Sequence, residues 1–145
     1  MNPTMTRAER EAFLADVHVG VLSVAEAGHG PCTVPVWYRY TPGDLVRITA
    51  GRDSRKIELL RTQGRASLCV QQEALPNKYV SVEGPVEVLE TDVAIDQREI
   101  AVRYLGPKLA ERYLASMAPG LATEVLIMLR PERWWSVDFS QLKLG

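Results

Sequence analysis

Histidine and cysteine are scarce in this 145-residue chain, with two of each. Cys32 and Cys69 lie far apart and form no C-x-x-C pair, so neither a zinc knuckle nor a disulfide framework is indicated. A single bridge stays open, but two reduced, buried thiols are the expectation. A His-rich metal centre is excluded, and any nucleophile–histidine machine would have to use His18 or His29. His29 lies in a Gly-rich loop and should be solvated; His18, between two valines, reads as a structural residue of a strand. No G-x-G-x-x-G, P-loop or G-x-S-x-G run occurs. Carboxylates are scattered, and Glu83, Glu87 and Glu90 suggest no catalytic pair. No apolar run approaches the ~20 residues of a membrane span. The first residues, Met1 to Arg7, lack the apolar core of a signal peptide, so a soluble cytoplasmic protein is expected. With a formal net charge of -1 there is no broad basic surface, which disfavours nucleic acid as a partner.

What remains is an ordinary globular composition, 46% apolar and 24% charged, at a length that suits one domain over residues 1–145. Thr6-Arg7-Ala8-Glu9 reads as a capping box opening a helix to about Asp16, with Ala8, Ala12, Phe13 and Leu14 on its buried face. Strands are expected at Val17–Ala25, Cys32–Tyr40 and Leu45–Ala50, joined as antiparallel hairpins through Gly- and Pro-containing turns. A helix from Ile57 to Thr62 ends near Gly64, and a fourth strand follows at Ala66–Gln71. The fifth, Lys78–Glu90, is broken by Gly84-Pro85, as where a barrel turns a corner. Helical pieces at Asp92–Tyr104 and Lys108–Met117 precede two closing strands, Ala122–Leu129 and Trp134–Phe139. Short strands with inserted helices and no βαβ alternation make the chain mainly β, an α+β antiparallel barrel.

Two features carry chemistry. Arg52-Asp53-Ser54-Arg55-Lys56 puts three cations at a helix N-terminus, where the backbone dipole already favours negative charge. Free N–H groups, a Ser hydroxyl and these cations would form a phosphate cradle. A solvated helix start, with Arg52 and Arg55 paired to Asp53 and Glu58, accounts for the same residues. In the second strand, Cys32, Val34, Val36, Tyr38 and Tyr40 share one face, and Thr33, Pro35, Trp37 and Arg39 the other. Pro35 lacks a ladder donor, so the strand is an edge or bulged there, leaving peptide groups free beside Trp37; on spacing alone a barrel strand with one tolerated proline is the preferred account. With no hydrolytic set in view, a bound cofactor is left to carry the chemistry.

The run from Val46 to Lys56, with Val34-Pro35-Val36-Trp37-Tyr38 before it and Tyr79-Val80-Ser81-Val82-Glu83-Gly84 after it, resembles the pyridoxamine 5′-phosphate oxidase-like superfamily. The likeness covers residues 8–90, with a weaker echo in the final strands. It implies a split β-barrel that binds FMN or the deazaflavin F420, as a homodimer with the cofactor at the interface. It further implies Ser54, Arg55 and Lys56 at the cofactor phosphate and Ile48 and Thr49 beside the ring and its linker. Thr33, Val34, Pro35, Val36 and Trp37 would run along the ring, and Tyr79 would stand where oxidases of the family often carry Gln. Arg52 would pair with Asp53 or serve the acidic tail of F420, and Trp134 and Trp135 would meet the interface or the ring. The ending, Arg130 to Phe139, lacks the Arg/His grip of true pyridoxamine phosphate oxidases, so that activity is not expected. The short chain is more similar to the actinobacterial F420-using branch. The expectation is therefore an F420-dependent oxidoreductase acting on an unsaturated small molecule. FMN on the same fold, a non-catalytic flavin- or haem-binding protein, and a plain dimeric scaffold are the alternatives. No catalytic acid stands out; Tyr79 and solvent are equal candidates.

Overall fold

The computed structural model describes residues 3–142. Helix α1 (Arg7–Ala15) opens with the expected capping box: the Thr6 hydroxyl accepts the Glu9 N–H, and the Glu9 carboxylate accepts the Thr6 N–H. Its buried residues are Phe13 and Leu14, whereas Ala8 and Ala12 face solvent, contrary to the sequence expectation. The larger side chains take the core, and the alanines lose little by exposure.

Seven strands follow: β1 (Gly20–Val24), β2 (Cys32–Val36), β3 (Val46–Gly51), β4 (Arg65–Gln72), β5 (Lys78–Leu89), β6 (Glu124–Leu129) and β7 (Arg133–Asp138). Helix α2 (Arg55–Gln63) joins β3 to β4, and α3 (Ala94–Leu105), α4 (Pro107–Ser116) and the single turn α5 (Ala118–Leu121) lie between β5 and β6. All pairings are antiparallel, in the order β2-β1-β4-β5-β6-β3, with β7 also on β5. The sheet curls on itself, and among the described residues its two ends meet through a single isolated bridge, Arg39, just past β2, to Arg47 of β3. The chain is thus a split antiparallel barrel with inserted helices.

The expected hairpin meander of the first three strands holds only in part. β1 and β2 form it, but β3 takes β6 as its ladder partner. Pro35 has no N–H to give, and the Tyr38 N–H donates to the Tyr104 hydroxyl at 3.2 Å instead of to a strand. The seam between β2 and β3 therefore stays open above Arg39.

Strand β5 bends as its Gly-Pro pair suggested. Lys78–Glu83 pairs with β7 and Val86–Leu89 with β6, on the same side. A Cβ on Gly84 would lie 1.8 Å from the Arg130 carbonyl oxygen, so only glycine admits the β6–β7 connection there. Gly64 caps α2 at φ 69°, a left-handed conformation natural to glycine. Leu14, Leu22, Ile48, Leu60, Leu68 and Ile127 fill the interior, each essentially without solvent contact.

Cys69 faces solvent, not the core as expected; its alternation along β4 puts it on the outer face, while Cys32 packs against the core edge, and both are free thiols. His29 is exposed. His18 lies in the link between α1 and β1, outside any strand, and stacks on Phe13 at 4.4 Å. Burial holds its pKa below the usual value. Among the described residues no helix is long and apolar enough to cross a membrane.

Candidate functional site

The open seam is where the candidate site lies. Continuing the Arg39–Arg47 register would set Trp37 opposite Thr49 and Pro35 opposite Gly51. These four residues instead line a cavity of about 470 Å³, a size suited to a cofactor or small ligand. Lys56 of α2 also lines it. Gln97, Ile100 and Ala101 of α3, Tyr113 of α4, Leu121 of α5 and Glu124 of β6 form the remaining wall.

The cover over this cavity is pinned at both ends of α3. Near its N-terminus the buried Asp96 carboxylate accepts from Arg39 Nε and Nη2 at 3.0 and 2.7 Å, and from Arg47 Nε and Nη2 at 2.7 and 3.3 Å. Burial alone would raise the Asp96 pKa; the hydrogen bonds from Arg47 and Arg39 outweigh it and hold the group below the usual carboxylate value. These are the two arginines of the single β2–β3 bridge, so one carboxylate ties the seam to the cover. At the other end, the Tyr104 hydroxyl donates to the His18 carbonyl at 2.6 Å, and Arg103 donates to the Asp16 carbonyl at 2.5 Å. Tyr104 also stacks on Trp37, with centroids 4.9 Å apart and planes 8° from parallel, and Tyr113 leans on the same indole at 5.8 Å. Gln97 Nε2 donates to the Leu121 carbonyl at 2.8 Å and to Glu124 Oε1 at 3.0 Å, joining α3 to α5 and β6.

The residues singled out from sequence are scattered, and only some of them meet. Pro35, Val36, Trp37, Thr49 and Lys56 meet at the cavity. Arg52 and Ser54 line an open depression on the other flank of the α2 N-terminus, with Asp53, Ile57, Glu58, Arg61 and Glu90. Ile48 points into the barrel core and Val34 packs against it. Thr33 is exposed; its hydroxyl donates to the Pro31 carbonyl at 3.3 Å and lies 3.3 Å from the Ser23 hydroxyl. Tyr79 lies on the outer face of β5 between Gln71 and Val137, away from the cavity. Arg55 pairs with Glu26 and, at 3.0 Å, with Glu58. Arg52 pairs at 2.9 Å with Glu90, which Arg61 also reaches at 3.3 Å. Trp134 packs against the core under Arg10, whereas Trp135 remains 46% exposed on the outer face of β7.

Two observations suit an anion at the start of α2. Among the described residues Lys56 makes no ion pair or hydrogen bond, although it lines the cavity. The Ser54 Oγ is buried and has no hydrogen-bond partner, and it does not cap the helix whose N-cap position it occupies. A buried hydroxyl without a partner is costly unless a ligand satisfies it.

Sequence reasoning missed the helical wall, Gln97, Ile100, Ala101, Tyr113 and Leu121, and Glu124 of β6 beside it. Nothing local marks them. They reach the site because Asp96 and Tyr104 dock α3 on the seam, a contact between residues more than 45 positions apart.

The family model for pyridoxamine 5′-phosphate oxidase matches residues 6–138 of the chain. No curated protein matches it by sequence. Among solved structures it is similar to a conserved hypothetical protein of Mycobacterium tuberculosis, at 22% identity over 97% of this chain and 92% of that one, TM-score 0.77. An F420 reductase superposes with TM-score 0.70 at 20% identity, over 86% and 94% of the two chains. An FAD-binding protein of Mesorhizobium loti gives 0.67 at 25% identity, over 92% and 94%.

Proposed function

From the membership of this chain in the pyridoxamine 5′-phosphate oxidase family, we propose that it is an F420-dependent oxidoreductase that holds its deazaflavin in the cavity at the β2–β3 seam. The observation that carries this reading is the convergence of three separate segments on one cavity: Pro35 to Trp37, Thr49 and Lys56. The likeness of the fold to an F420 reductase supports the choice of cofactor. When bound, the deazaflavin supplies hydride chemistry toward an unsaturated small molecule.

The residues present fit such a group. Lys56 and the first N–H groups of α2 would hold its phosphate; the unpartnered Ser54 hydroxyl, on the other flank of the helix start, would reach it only if the phosphate sits over the helix end. The unpaired seam edges of β2 and β3 offer peptide groups to the flat ring system. Thr49 would stand beside the linker. The α3–α4 cover would exclude water, with Ile100 and Ala101 as its apolar lining. Arg52, on the far flank of α2, would serve an acidic tail only by leaving Glu90, with which it is paired. Tyr113 replaces Tyr79 as the candidate proton donor, because its ring lines the cavity and that of Tyr79 does not. A homodimer formed through the outer face that carries Tyr79 and Trp135 is part of the same reading, as is a cytoplasmic location.

The test is titration of the purified protein with F420 and FMN, followed by fluorescence quenching. Tight F420 binding with weaker FMN binding is the expected result, and oxidation of reduced F420 should require an added acceptor. Protein that purifies yellow with flavin and ignores F420 would transfer the site to FMN.

A further inference from the structure

The wall formed by Gln97 has a second side. A cavity of about 490 Å³ lies there, between the β5–α3 link at Thr91 to Val93, the start of α3, Leu114 of α4 and the α5 turn. Gln97, Leu121 and Glu124 line this cavity and the seam cavity alike, so the partition between them is made of these side chains. Gln97 Nε2 holds it together, donating to the Leu121 carbonyl and to Glu124 Oε1. Both amide hydrogens of Gln97 are used in this way. What the partition still offers a ligand, Gln97 Oε1 and the Glu124 carboxylate, can only accept. Glu124 is half-buried and, among the described residues, forms no ion pair. The rim charges are engaged elsewhere: Arg98 lies 4.0 Å from Glu111, and Asp92 accepts the Ala94 N–H at 2.9 Å. Most of the other lining side chains are small or apolar, among them Val93, Ala118 and Ala122.

We propose that this second cavity binds the molecule that accepts from the cofactor, an apolar small molecule with a hydrogen-bond donor at one end and a protonated amine by preference, and that Glu124 and Gln97 read that end. The proposal rests on the reading of the seam cavity as a deazaflavin site. A cavity of about 470 Å³ takes one cofactor-sized molecule, so the second reactant needs a space of its own that adjoins it. The cavity behind Gln97 is such a space. A cationic donor gains a charge-assisted hydrogen bond from the unpaired Glu124 carboxylate. By taking over Glu124 it also releases Gln97 and opens the partition toward the cofactor. A carboxylate ligand meets only acceptors and a like charge there, and is refused.

The test follows three probes of one shape, benzylamine, benzyl alcohol and benzoate, by ligand-observed NMR on the full chain saturated with F420. Benzylamine should bind about tenfold more tightly than benzyl alcohol, the worth of one hydrogen bond to a charged group, and benzoate should bind least. The benzylamine ring protons should give interligand Overhauser effects to the deazaflavin ring. Glu124→Gln should remove the advantage of the amine and leave benzyl alcohol within about twofold. Ala118→Trp, a change at an exposed position that lines only the second cavity, should abolish probe binding and alter F420 affinity less than about twofold. Benzylamine that does not bind, or that binds no better than benzoate, overturns the proposal. So does a preference that survives Glu124→Gln, binding that survives Ala118→Trp, or a bound probe without contact to the deazaflavin. If F420 itself does not bind, the seam reading fails separately, and the same probes and variants on the unloaded protein still decide whether the second cavity is a site for amines.

Discussion

The two faces of β3 have opposite chemistry. Val46, Ile48 and Ala50 face the barrel and are sealed from solvent. Arg47, Thr49 and Gly51 face outward and are only half covered: Arg47 is bound by Asp96, and Thr49 and Gly51 line the cavity under α3. The inner face is closed by apolar contact that any well-packed neighbour could supply. The outer face is closed by a few polar ties, at Asp96, Gln97 and Tyr104, spaced around a void. The barrel is therefore the stable scaffold, and the space between barrel and cover is where a ligand contributes what packing does not.

That contrast can be broken from either side. Ile48→Ala, on the inner face, should cost the most, about 2–5 kcal/mol in chemical denaturation, with loss of ligand binding following only from unfolding. Asp96→Asn comes next. It leaves Arg39 and Arg47 poorly paired beneath α3; because both remain partly exposed, about 1–3 kcal/mol is expected, short of a fully buried pair. Cofactor affinity should fall as well, since the cover is loosened. The Asp96 pKa is depressed in the folded protein, so its contribution is present above the unfolded value near 3.8 and is lost as pH falls through the lower folded value. Acid unfolding of the native protein should thus be steeper below about pH 4 than that of Asp96→Asn. The smallest stability effect belongs to Ser54→Ala. An N-cap serine usually contributes about 1 kcal/mol, but this one makes no capping bond, so a change under about 0.5 kcal/mol is expected. F420 affinity should nevertheless drop about fivefold, the worth of a modest hydrogen bond. A full capping loss without an effect on binding would mean that the hydroxyl serves the helix and not a ligand.

The same division governs what could be read in the sequence. The capping box, the Gly64 cap and the Gly84-Pro85 bend are local signals, and the structure carries each of them. The resemblance placed the fold, and the Pro35 argument placed an edge beside Trp37, which the open seam bears out. Strand order was less accessible. A hairpin between β2 and β3 looked natural by proximity, but the Tyr38 N–H goes to Tyr104 on a helix far downstream. The cavity wall was illegible for the same reason, since Gln97 and Tyr113 acquire their place through tertiary docking alone. The basic run shows the limit most clearly. Its sequence announces charge, whereas Glu26, from the loop after β1, and Glu90, at the end of β5, decide how much of that charge is available.

The central claim is that the ligand phosphate meets Lys56 at the seam and not the paired arginines. Equilibrium titration of F420 against Lys56→Ala and Arg55→Ala, side by side, tests it most directly. A charge-assisted contact predicts a loss of about tenfold or more for Lys56→Ala and less than about threefold for Arg55→Ala. A larger loss at Arg55, or equal losses at both, would contradict it.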